Sequence, residues 1–291
     1  PKISLTGDAT DTTTLFCWWG VGFKTGGFNN LGGTETVQAF LVDAGAALVA
    51  PPEIYDKETS SAFEVGFRTS FLDNKINLNG AAFYTEVDDM QFFEFFVGPF
   101  GLLRTVSNID EVTLQGFELS GAWAISDNIR LDAGYSQVDG EIDVNSIRPY
   151  TAGNDVPNNA EFTANIGLQI TQPVGALEVI ARIEHAIQGD TWYHTVQDDI
   201  VPATLFGGGP CSDGTALDGV CGNFNQTKVN EYGITNVRLG IGSDTWRVTA
   251  YARNVFDEEY VAEVIMAPEF GGAFVTPGQV RMYGLEAQID F

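Results

Sequence analysis

The feature that most constrains the fold of this chain is a regular alternation of apolar and other side chains over long segments. In the segment EFTANIGLQIT, the residues at positions 162, 164, 166, 168 and 170 are apolar, and those between them are polar or glycine. Successive side chains of a β-strand point to opposite faces of the sheet, so this pattern predicts a strand with one apolar and one polar face. The pattern recurs along the chain and predicts about eleven strands.

The connections between these strands are alternately short and long. Short turns are predicted at 73–74, 126–128, 173–176 and 243–245. Longer connections, mostly rich in Gly, Pro, Asn and Asp, are predicted at about 22–58, 140–158, 195–228 and 266–278, with a shorter aromatic one around 97–101. Strands of soluble sandwiches have about five or six residues, whereas a tilted strand of about 9 to 11 residues crosses a membrane. The long strands and the unequal loops together predict an all-β, antiparallel transmembrane β-barrel.

Aromatic residues mark both ends of the predicted strands. Trp123 and Trp246 lie near short turns. The long-loop ends carry Trp18, Trp19, Tyr84, Phe92, Phe93, Phe95, Phe96, Trp192, Tyr193 and Tyr260. Two aromatic belts are typical of strands that meet both membrane–water interfaces. Two alternatives stay open at this point: a passive porin, and a soluble secreted β-sandwich or lectin that buries the apolar faces in a core.

Charge and motif content restrict the function. The chain has 39 acidic and 14 basic residues, a formal net charge of -25, so a nucleic-acid partner is excluded. His185 and His194 are the only histidines, and no catalytic, nucleotide-binding or metal-ligand motif accompanies them. We therefore expect no catalytic site, no resident cofactor and no metal site. Cys211 and Cys221, in a glycine-rich stretch, are candidates for a disulfide that closes a loop, with two free thiols as the alternative.

Six stretches carry a resemblance to a known family. They are GVGFKTGGFN (20–29), PPEIYDKETSSAFEVGFR (51–68), NGAAFYTEVDDMQ (79–91), LQGFELSG (114–121), NVFDEEY (254–260) and VRMYGLEAQIDF (280–291). In this order they resemble the C-terminal half of the barrel of TonB-dependent outer-membrane receptors, in the style of siderophore receptors. The resemblance implies a barrel of about 22 strands that is plugged by an N-terminal domain. Residues 1–291 would then be the C-terminal part of the barrel domain, without the plug, the TonB box and the N-terminal strands.

The resemblance also implies a function. Such receptors lie in the outer membrane of Gram-negative bacteria and take up scarce ligands with energy from TonB, ExbB and ExbD, which act through the plug and the TonB box. A ferric siderophore is the expected ligand, and cobalamin, haem and oligosaccharides remain alternatives. No bond is made or broken, so an enzyme is not expected.

The resemblance assigns roles to particular residues. Trp192, Tyr193 and His194, at the outer end of the eighth strand, are candidate ligand contacts, and belt anchoring is the alternative for the first two. The residues predicted to face the lumen and plug are Glu64, Arg68, Glu118, Arg130, Asp132, Glu161, Arg182, Glu184, Arg238, Arg247 and Arg253; a solvated channel wall is the alternative. Asn254, Asp257 and Tyr260 are expected to shape the strand end.

The last strand is predicted to have a second role. Its alternating residues Tyr283, Leu285, Ala287, Ile289 and Phe291 resemble the C-terminal signal that the barrel assembly machinery reads. The same side chains are expected to face outer-membrane lipid. The acidic loops are compatible with divalent cations that bridge lipopolysaccharide.

Overall fold

Most of the chain forms a single antiparallel sheet. The computed structural model describes residues 1–29, 32–42, 50–98, 100–197, 200–201, 222–223, 228–267 and 272–289. Eleven strands form the sheet, and each pairs with the next of the eleven along the chain. They are β1 Lys2–Thr10, β2 Thr13–Lys24, β3 Glu58–Phe71, β4 Ile76–Gly98, β5 Gly101–Ser126, β6 Ile129–Val144, β7 Phe162–Val174, β8 Leu177–Gln188, β9 Tyr232–Ser243, β10 Trp246–Arg253 and β11 Met282–Ile289. The prediction of an all-β antiparallel fold with about eleven strands is confirmed.

The short turns all lie at one edge of the sheet. They occupy 11–12, 72–75, 127–128, 175–176 and 244–245. The opposite edge carries four long connections, 25–57, 145–161, 189–231 and 254–281, and the two-residue link of the long β4–β5 hairpin. The turn at 72–75 takes four residues and not the predicted two, because Leu72, Asp73 and Asn74 all adopt positive φ. The N–H of Lys75 then closes the turn by donating to the carbonyl of Leu72 at 3.1 Å.

The pairing register sorts the side chains of the sheet onto two faces. The polar face carries Glu64, Glu118 and Arg182, and acidic and basic side chains are both found on this face across the sheet. The apolar face carries large side chains that stay exposed, such as Leu119 (43%) and Ile183 (47%). Apart from the tip of the β4–β5 hairpin, residues 89–110, the charged side chains of this face within β1 to β11 are six carboxylates: Glu86, Asp88, Glu111, Asp139, Glu141 and Asp143.

The described parts of the long connections and the tip of the β4–β5 hairpin pack together at one end of the sheet, and we call this region the cap. Its largest apolar cluster contains Val87, Phe92, Ile109, Val112, Ile142 and Val156. A second cluster contains Val196, Val229 and Val264. The short helix α1 (Gly33–Val37) packs on the hairpin tip through Val37 and Phe96. In the described part of the chain, no helix has the length and apolar character needed to cross a membrane.

Short ladders tie the cap segments to one another. The pairs are Gly27–Phe28 with Ile54–Tyr55, Thr191–Trp192 with Lys228–Val229, Ile200–Val201 with Gly222–Asn223, and Val261–Ala267 with Gly272–Pro277. The last of these hairpins reaches across from the β10–β11 connection and contacts β4. The cap therefore brings together segments that lie far apart in the sequence.

A kink at Asp89 changes which side chains of β4 point inward. Asp89 has a φ of 55°, a left-handed conformation inside a strand. Val87 and Phe92 enter the same apolar cluster although five positions separate them, which regular alternation does not allow. Phe92 and Phe96 are consequently 5% and 1% exposed, so the prediction that they belong to an aromatic belt is wrong.

Other members of the predicted belts keep exposed positions on the apolar face. Trp19 and Tyr84 lie toward the cap and are 38% and 42% exposed. Trp123 and Trp246 lie beside the short turns and are 42% and 37% exposed. Trp18, by contrast, pairs with Glu64 on the polar face, so it does not belong to the belt.

Candidate functional site

Residues of the GGFN and PPE stretches hold together the two ends of the first long connection, 25–57. The side-chain amide of Asn29 pairs with the backbone of Val106 as a neighbouring strand would. Its Oδ1 accepts from the N–H of Val106 and its Nδ2 donates to the carbonyl of Val106, both at 2.7 Å. The same Nδ2 also donates to the carbonyl of Pro52 at 2.6 Å. The ring of Tyr55 packs against Gly27, where a Cβ would lie 2.4 Å from the tyrosine hydroxyl and would force the ring to move. These two stretches therefore anchor the loop to β5.

A buried carboxylate, that of Glu58, lies directly after this connection, at the start of β3. Glu58 is 9% exposed and forms an ion pair with Lys24 at 2.8 Å. Its second interaction is with the N–H of Gln91, which donates to Oε2 at 2.9 Å. Gln91 in turn donates from Nε2 to the carbonyls of Thr25 and Asp56. The hairpin tip and the first connection are thus held together by hydrogen bonds, and sequence reasoning did not identify Glu58 as part of this contact.

The NVFDEEY stretch shapes the start of the last long connection. Asn254 is 3% exposed and has a φ of 49°. Its Nδ2 donates to the carbonyls of Glu258 and Gln279, and its Oδ1 accepts from the N–H of Glu258. Asp257 pairs with Arg281 at 3.3 Å. These contacts agree with the expectation that the stretch is strand-end architecture.

The candidate ligand residues lie inside the cap. His194 is 3% exposed, its Nδ1 accepts from the N–H of Val196 at 3.0 Å, and its ring packs edge-on against Phe92. Trp192 is 8% exposed, so it is not a belt anchor in contact with lipid. Tyr193 is partly exposed and donates from its hydroxyl to the carbonyl of Ala262 at 2.9 Å.

A small cleft brings Tyr193 and His194 together with residues from other cap segments. It is lined by Phe92, Phe93, Phe95, Asn158, Tyr193, His194, Glu263, Val264 and Ile265. Burial raises the pKa of Tyr193, and the charge of Glu263 acts in the same direction. An aromatic wall with one carboxylate and one phenol can stack on a planar ligand group and accept hydrogen bonds from it.

A second cleft in the cap is acidic. Its lining includes Asp139, Asp155, Glu161, Asp190, Trp192 and Lys228. Lys228 forms an ion pair with Asp190 at 2.6 Å, and this contact holds the pKa of Asp190 below its usual value. Burial raises the pKa of Asp155, although a hydrogen bond from Trp192 acts the other way. Glu161, predicted to face the lumen, lines this cleft.

The other residues predicted to face the lumen share the polar face of the sheet. The register places Glu64, Arg68, Glu118, Arg130, Asp132, Arg182, Glu184, Arg238, Arg247 and Arg253 on it.

One group on this face is built around Gly167. Arg182 makes two hydrogen bonds of 3.0 Å to the carboxylate of Asp132, across the intervening β7, and also pairs with Glu184. A Cβ on Gly167 would lie 2.7 Å from Arg182 Nη2 and from Asp132 Oδ2. The glycine therefore leaves the space that the bridge occupies. Arg247 pairs with Glu178 at 3.4 Å nearer the short turns.

The final strand keeps its alternating pattern in the structure. Tyr283, Leu285 and Ile289 lie on the apolar face of β11 and are 71%, 79% and 62% exposed. Phe291, Cys211 and Cys221 lie outside the described residues, so the assembly signal and the disulfide remain predictions there. Within the described ranges, no group of three or more His, Cys, Asp and Glu side chains has the arrangement of a metal site.

Comparisons with known proteins agree with this architecture. The family model described as TonB dependent receptor-like, beta-barrel, matches residues 1–255. The probable TonB-dependent siderophore receptor PiuA of Acinetobacter baumannii is 32% identical over 103 residues, which are 35% of this chain and 13% of that protein. The ferric yersiniabactin uptake receptor FyuA of Yersinia pestis has a TM-score of 0.71 at 18% identity, covering 100% of this chain and 37% of that one. The copper transporter OprC has a TM-score of 0.65 at 16% identity, covering 100% and 39%.

These likenesses differ in what they show. At 18% and 16% identity, the two solved structures show a shared fold alone. The 103 matched residues span 13% of the length of the curated relative, and the whole chain covers 37% of the FyuA chain, so it corresponds to a part of such a protein. The family model, however, matches 255 of the 291 residues. The exposed apolar face, the opposite polar face and the one-sided cap are those of part of an outer-membrane barrel, and the chain belongs to the TonB-dependent receptor family.

Proposed function

We propose that this chain is the C-terminal part of the barrel of an outer-membrane receptor of a Gram-negative bacterium, and that the complete receptor takes up a ferric siderophore. The observation that carries the choice of ligand is the 32% identity to a protein named as a probable TonB-dependent siderophore receptor. Uptake is driven by TonB with ExbB and ExbD, through the plug and TonB box of the complete receptor. Cobalamin, haem and oligosaccharides are the alternative ligands within this class.

The apolar face supports placement in a membrane. Leu119, Ile183 and Leu285 are 43%, 47% and 79% exposed. A soluble β-sandwich would bury such side chains against a second sheet, whereas lipid covers them in a barrel. The carboxylates of this face lie only at the long-loop ends of β4 to β6, where lipid headgroups meet water. We therefore place outer-membrane lipid, including lipopolysaccharide, against this face.

The polar face supports a filled lumen. The bridge from Arg182 to Asp132 and Glu184 holds charges of both signs on the wall. Such a wall suits a polar protein domain, because each hydrogen-bonding group can find a partner there. A passive porin would instead solvate this wall, and the presence or absence of a plug distinguishes the two.

The cap supports a ligand site at the outer end. Tyr193 and Glu263 flank the aromatic cleft, and Tyr193 is partly exposed. We propose Tyr193 as a direct contact, and Trp192 and His194 as contacts that require the cap to open, since both are buried.

The terminal strand supports recognition by the barrel assembly machinery. Tyr283, Leu285 and Ile289 present a continuous apolar edge strand that pairs on one side with β10. An exposed strand edge of this kind is a template for pairing with another strand.

The proposal is tested with the complete gene in its native host. A deletion strain under iron limitation is supplied with individual ferric siderophores, and growth and uptake of radioactive iron are measured. We expect one chelate to be taken up only when the full-length gene is restored, and only when TonB is present. Uptake that persists without TonB would favour the porin, and a protein that stays in the aqueous fraction without detergent would favour the soluble sandwich.

Parallel cultures test the other ligands. Haem, cobalamin, oligosaccharides and copper salts are supplied in place of the chelates, copper because OprC shares the fold. Dependence of copper or cobalamin uptake on the gene, without any iron phenotype, would contradict the siderophore assignment and leave the receptor class intact.

A further inference from the structure

The aromatic cleft of the cap, to which Tyr193 and Glu263 both contribute, contains a negative charge that the protein does not neutralise. Glu263 is exposed and forms no ion pair with any residue in the described part of the chain. None of the described residues that line the cleft is lysine or arginine. The ring of His194 adds no positive charge, since its Nδ1 accepts from the N–H of Val196 at 3.0 Å and therefore carries no proton. The cleft thus presents one carboxylate without a matching cation.

The backbone fixes Glu263 at the cleft from both sides. The carbonyl of Ala262 accepts from the hydroxyl of Tyr193 at 2.9 Å, and Val264 is 5% exposed in the second apolar cluster of the cap. The register of this hairpin also shifts between Val261 and Glu263. A β-bulge of this kind turns the adjacent side chain out of the regular alternation. The carboxylate is therefore presented by an anchored backbone, and little order is lost when a ligand binds it.

Aromatic rings form much of the remaining wall. Phe93 and Phe95 pack edge-to-face with ring centroids 5.8 Å apart, and the ring of Tyr193 lines the same cleft. The face of an aromatic ring attracts cations. Phe93 already makes one such contact, because the guanidinium of Arg104, which does not line the cleft, lies 4.5 Å from its centroid. The rings and the carboxylate therefore favour the same kind of ligand group, a cation.

The size of the cleft narrows the choice of cation. Its free space is about that of a water molecule, which suits a primary ammonium group. Such a group donates hydrogen bonds, and the acceptors here are the carboxylate of Glu263 and the oxygen of Tyr193, whose hydrogen is directed to Ala262. A carboxylate or phosphate would meet Glu263 with no cation to offset the repulsion. An uncharged group would not gain a charge-assisted hydrogen bond.

We propose that the aromatic cleft is a subsite for a primary ammonium group of the transported molecule, and that Glu263 is the residue that selects for this group. The inference rests on the proposed function, because it requires the cap to receive a ligand, and it adds that the ferric siderophore carries a free primary amine. Glu263 lies between the stretches 254–260 and 280–291, outside the motifs that carry the family resemblance.

Ligand-observed NMR with a minimal probe tests the subsite. The full-length receptor is purified in a non-ionic detergent, and the binding of propylammonium chloride is measured by saturation transfer. The neutral probe is 1-propanol, which has the same carbon chain without the charge. E263Q removes the carboxylate of the cleft. E111Q is the matched control, because Glu111 is an exposed carboxylate near the same end of the sheet but on its apolar face.

We expect propylammonium to bind wild type and E111Q equally. Its dissociation constant should rise about tenfold or more in E263Q, because a hydrogen bond between charged groups is lost, whereas 1-propanol should not distinguish the three proteins. Equal affinity of propylammonium for wild type and E263Q would overturn the inference. An equal loss in E111Q would also overturn it, since attraction to an acidic surface would then be the cause.

The wild-type receptor alone decides the matter if E263Q fails to assemble. Propylammonium should then bind about tenfold more tightly than 1-propanol, and equal affinities would overturn the proposal.

The chelate identified by the uptake assay separates this inference from the proposed function. It should carry a primary amine, and acetylation of that amine should weaken its binding to wild type about tenfold but leave its binding to E263Q unchanged. Uptake of a chelate without a primary amine would refute the ammonium subsite and leave siderophore uptake standing. Binding of propylammonium that depends on Glu263, without uptake of any chelate, would leave the subsite standing and refute the ligand assignment.

Discussion

Replacing Asn254 by alanine is the most direct test of how the cap is tied to the final strands. Asn254 follows β10, is 3% exposed and has a φ of 49°. Its Nδ2 donates to the carbonyls of Glu258 and Gln279 at 2.9 and 3.0 Å, and its Oδ1 accepts from the N–H of Glu258 at 2.8 Å. One side chain therefore joins both ends of the 254–281 connection.

The size of the effect follows from these contacts. Alanine removes three hydrogen bonds, each with a net contribution of about 1 kcal/mol. It also has to adopt a left-handed conformation, at a further cost of about 1 kcal/mol. The free energy of opening this connection should fall by about 4 kcal/mol, which corresponds to an increase of about 800-fold in the equilibrium constant for opening. Asn254→Gly loses the same hydrogen bonds but adopts positive φ freely, so its loss should be about 3 kcal/mol.

Hydrogen exchange of the full-length receptor in detergent measures this local opening. Global unfolding is a poor readout, because large proteins with several parts do not unfold in two states. Peptides covering 254–265 should lose protection in both variants, and alanine should exchange about fivefold faster than glycine. Wild-type protection in N254A would refute the anchoring role, and equal exchange in N254A and N254G would refute the part assigned to the backbone conformation.

Three further changes have defined outcomes. Gly167→Ala places a Cβ 2.7 Å from both Arg182 Nη2 and Asp132 Oδ2, so these two side chains have to shift and the bridge is weakened. After the gain from removing a strand glycine, we expect a net loss of about 1 kcal/mol, seen as a lower melting midpoint on heat-modifiability gels, and an unchanged midpoint would contradict it. Asp89→Asn tolerates the left-handed backbone and removes a carboxylate whose pKa is raised above 3.8, chiefly by burial and then by neighbouring aspartates. Because a raised pKa means that the ionised form destabilises the folded cap, the variant should show slower exchange than wild type at neutral pH, and the difference should vanish as the pH falls below 3.8. Phe291→Ser should reduce the heat-modifiable barrel in the membrane fraction while synthesis continues, and a normal amount would refute the assembly signal.

The strands and their faces were predictable from the sequence because the pattern is local. A period of two fixes the face of each residue within a strand, and turn residues fix where strands end. The register then brought the predicted Glu118, Arg182 and Arg238 onto one face without any further assumption. The turn at 72–75 differed from prediction because three consecutive residues, Leu72, Asp73 and Asn74, adopt positive φ. The residue types alone do not predict this run of left-handed conformations.

The cap could not be predicted in the same way. Its contacts join residues far apart in sequence, such as Asn29 with Val106 and Tyr193 with Ala262. Asn29 lies in one of the motif stretches, but nothing in the sequence indicated that its partner is Val106. Phe92 illustrates the limit, since a single left-handed residue at Asp89 reverses the alternation and moves its ring from the expected surface to the interior.

The sequence by itself determined an antiparallel barrel wall with one face for lipid and one polar face, because the alternation of side chains acts over neighbouring residues and survives any arrangement of the loops. Only the tertiary structure decided that Trp192 and His194 are buried, that Gly167 makes room for an ion pair between β6 and β8, and that Arg182 and Arg238 pair across β8 and β9. Those facts depend on which strands are neighbours and on where the backbone departs from regular pleating, and both are set by contacts between distant segments.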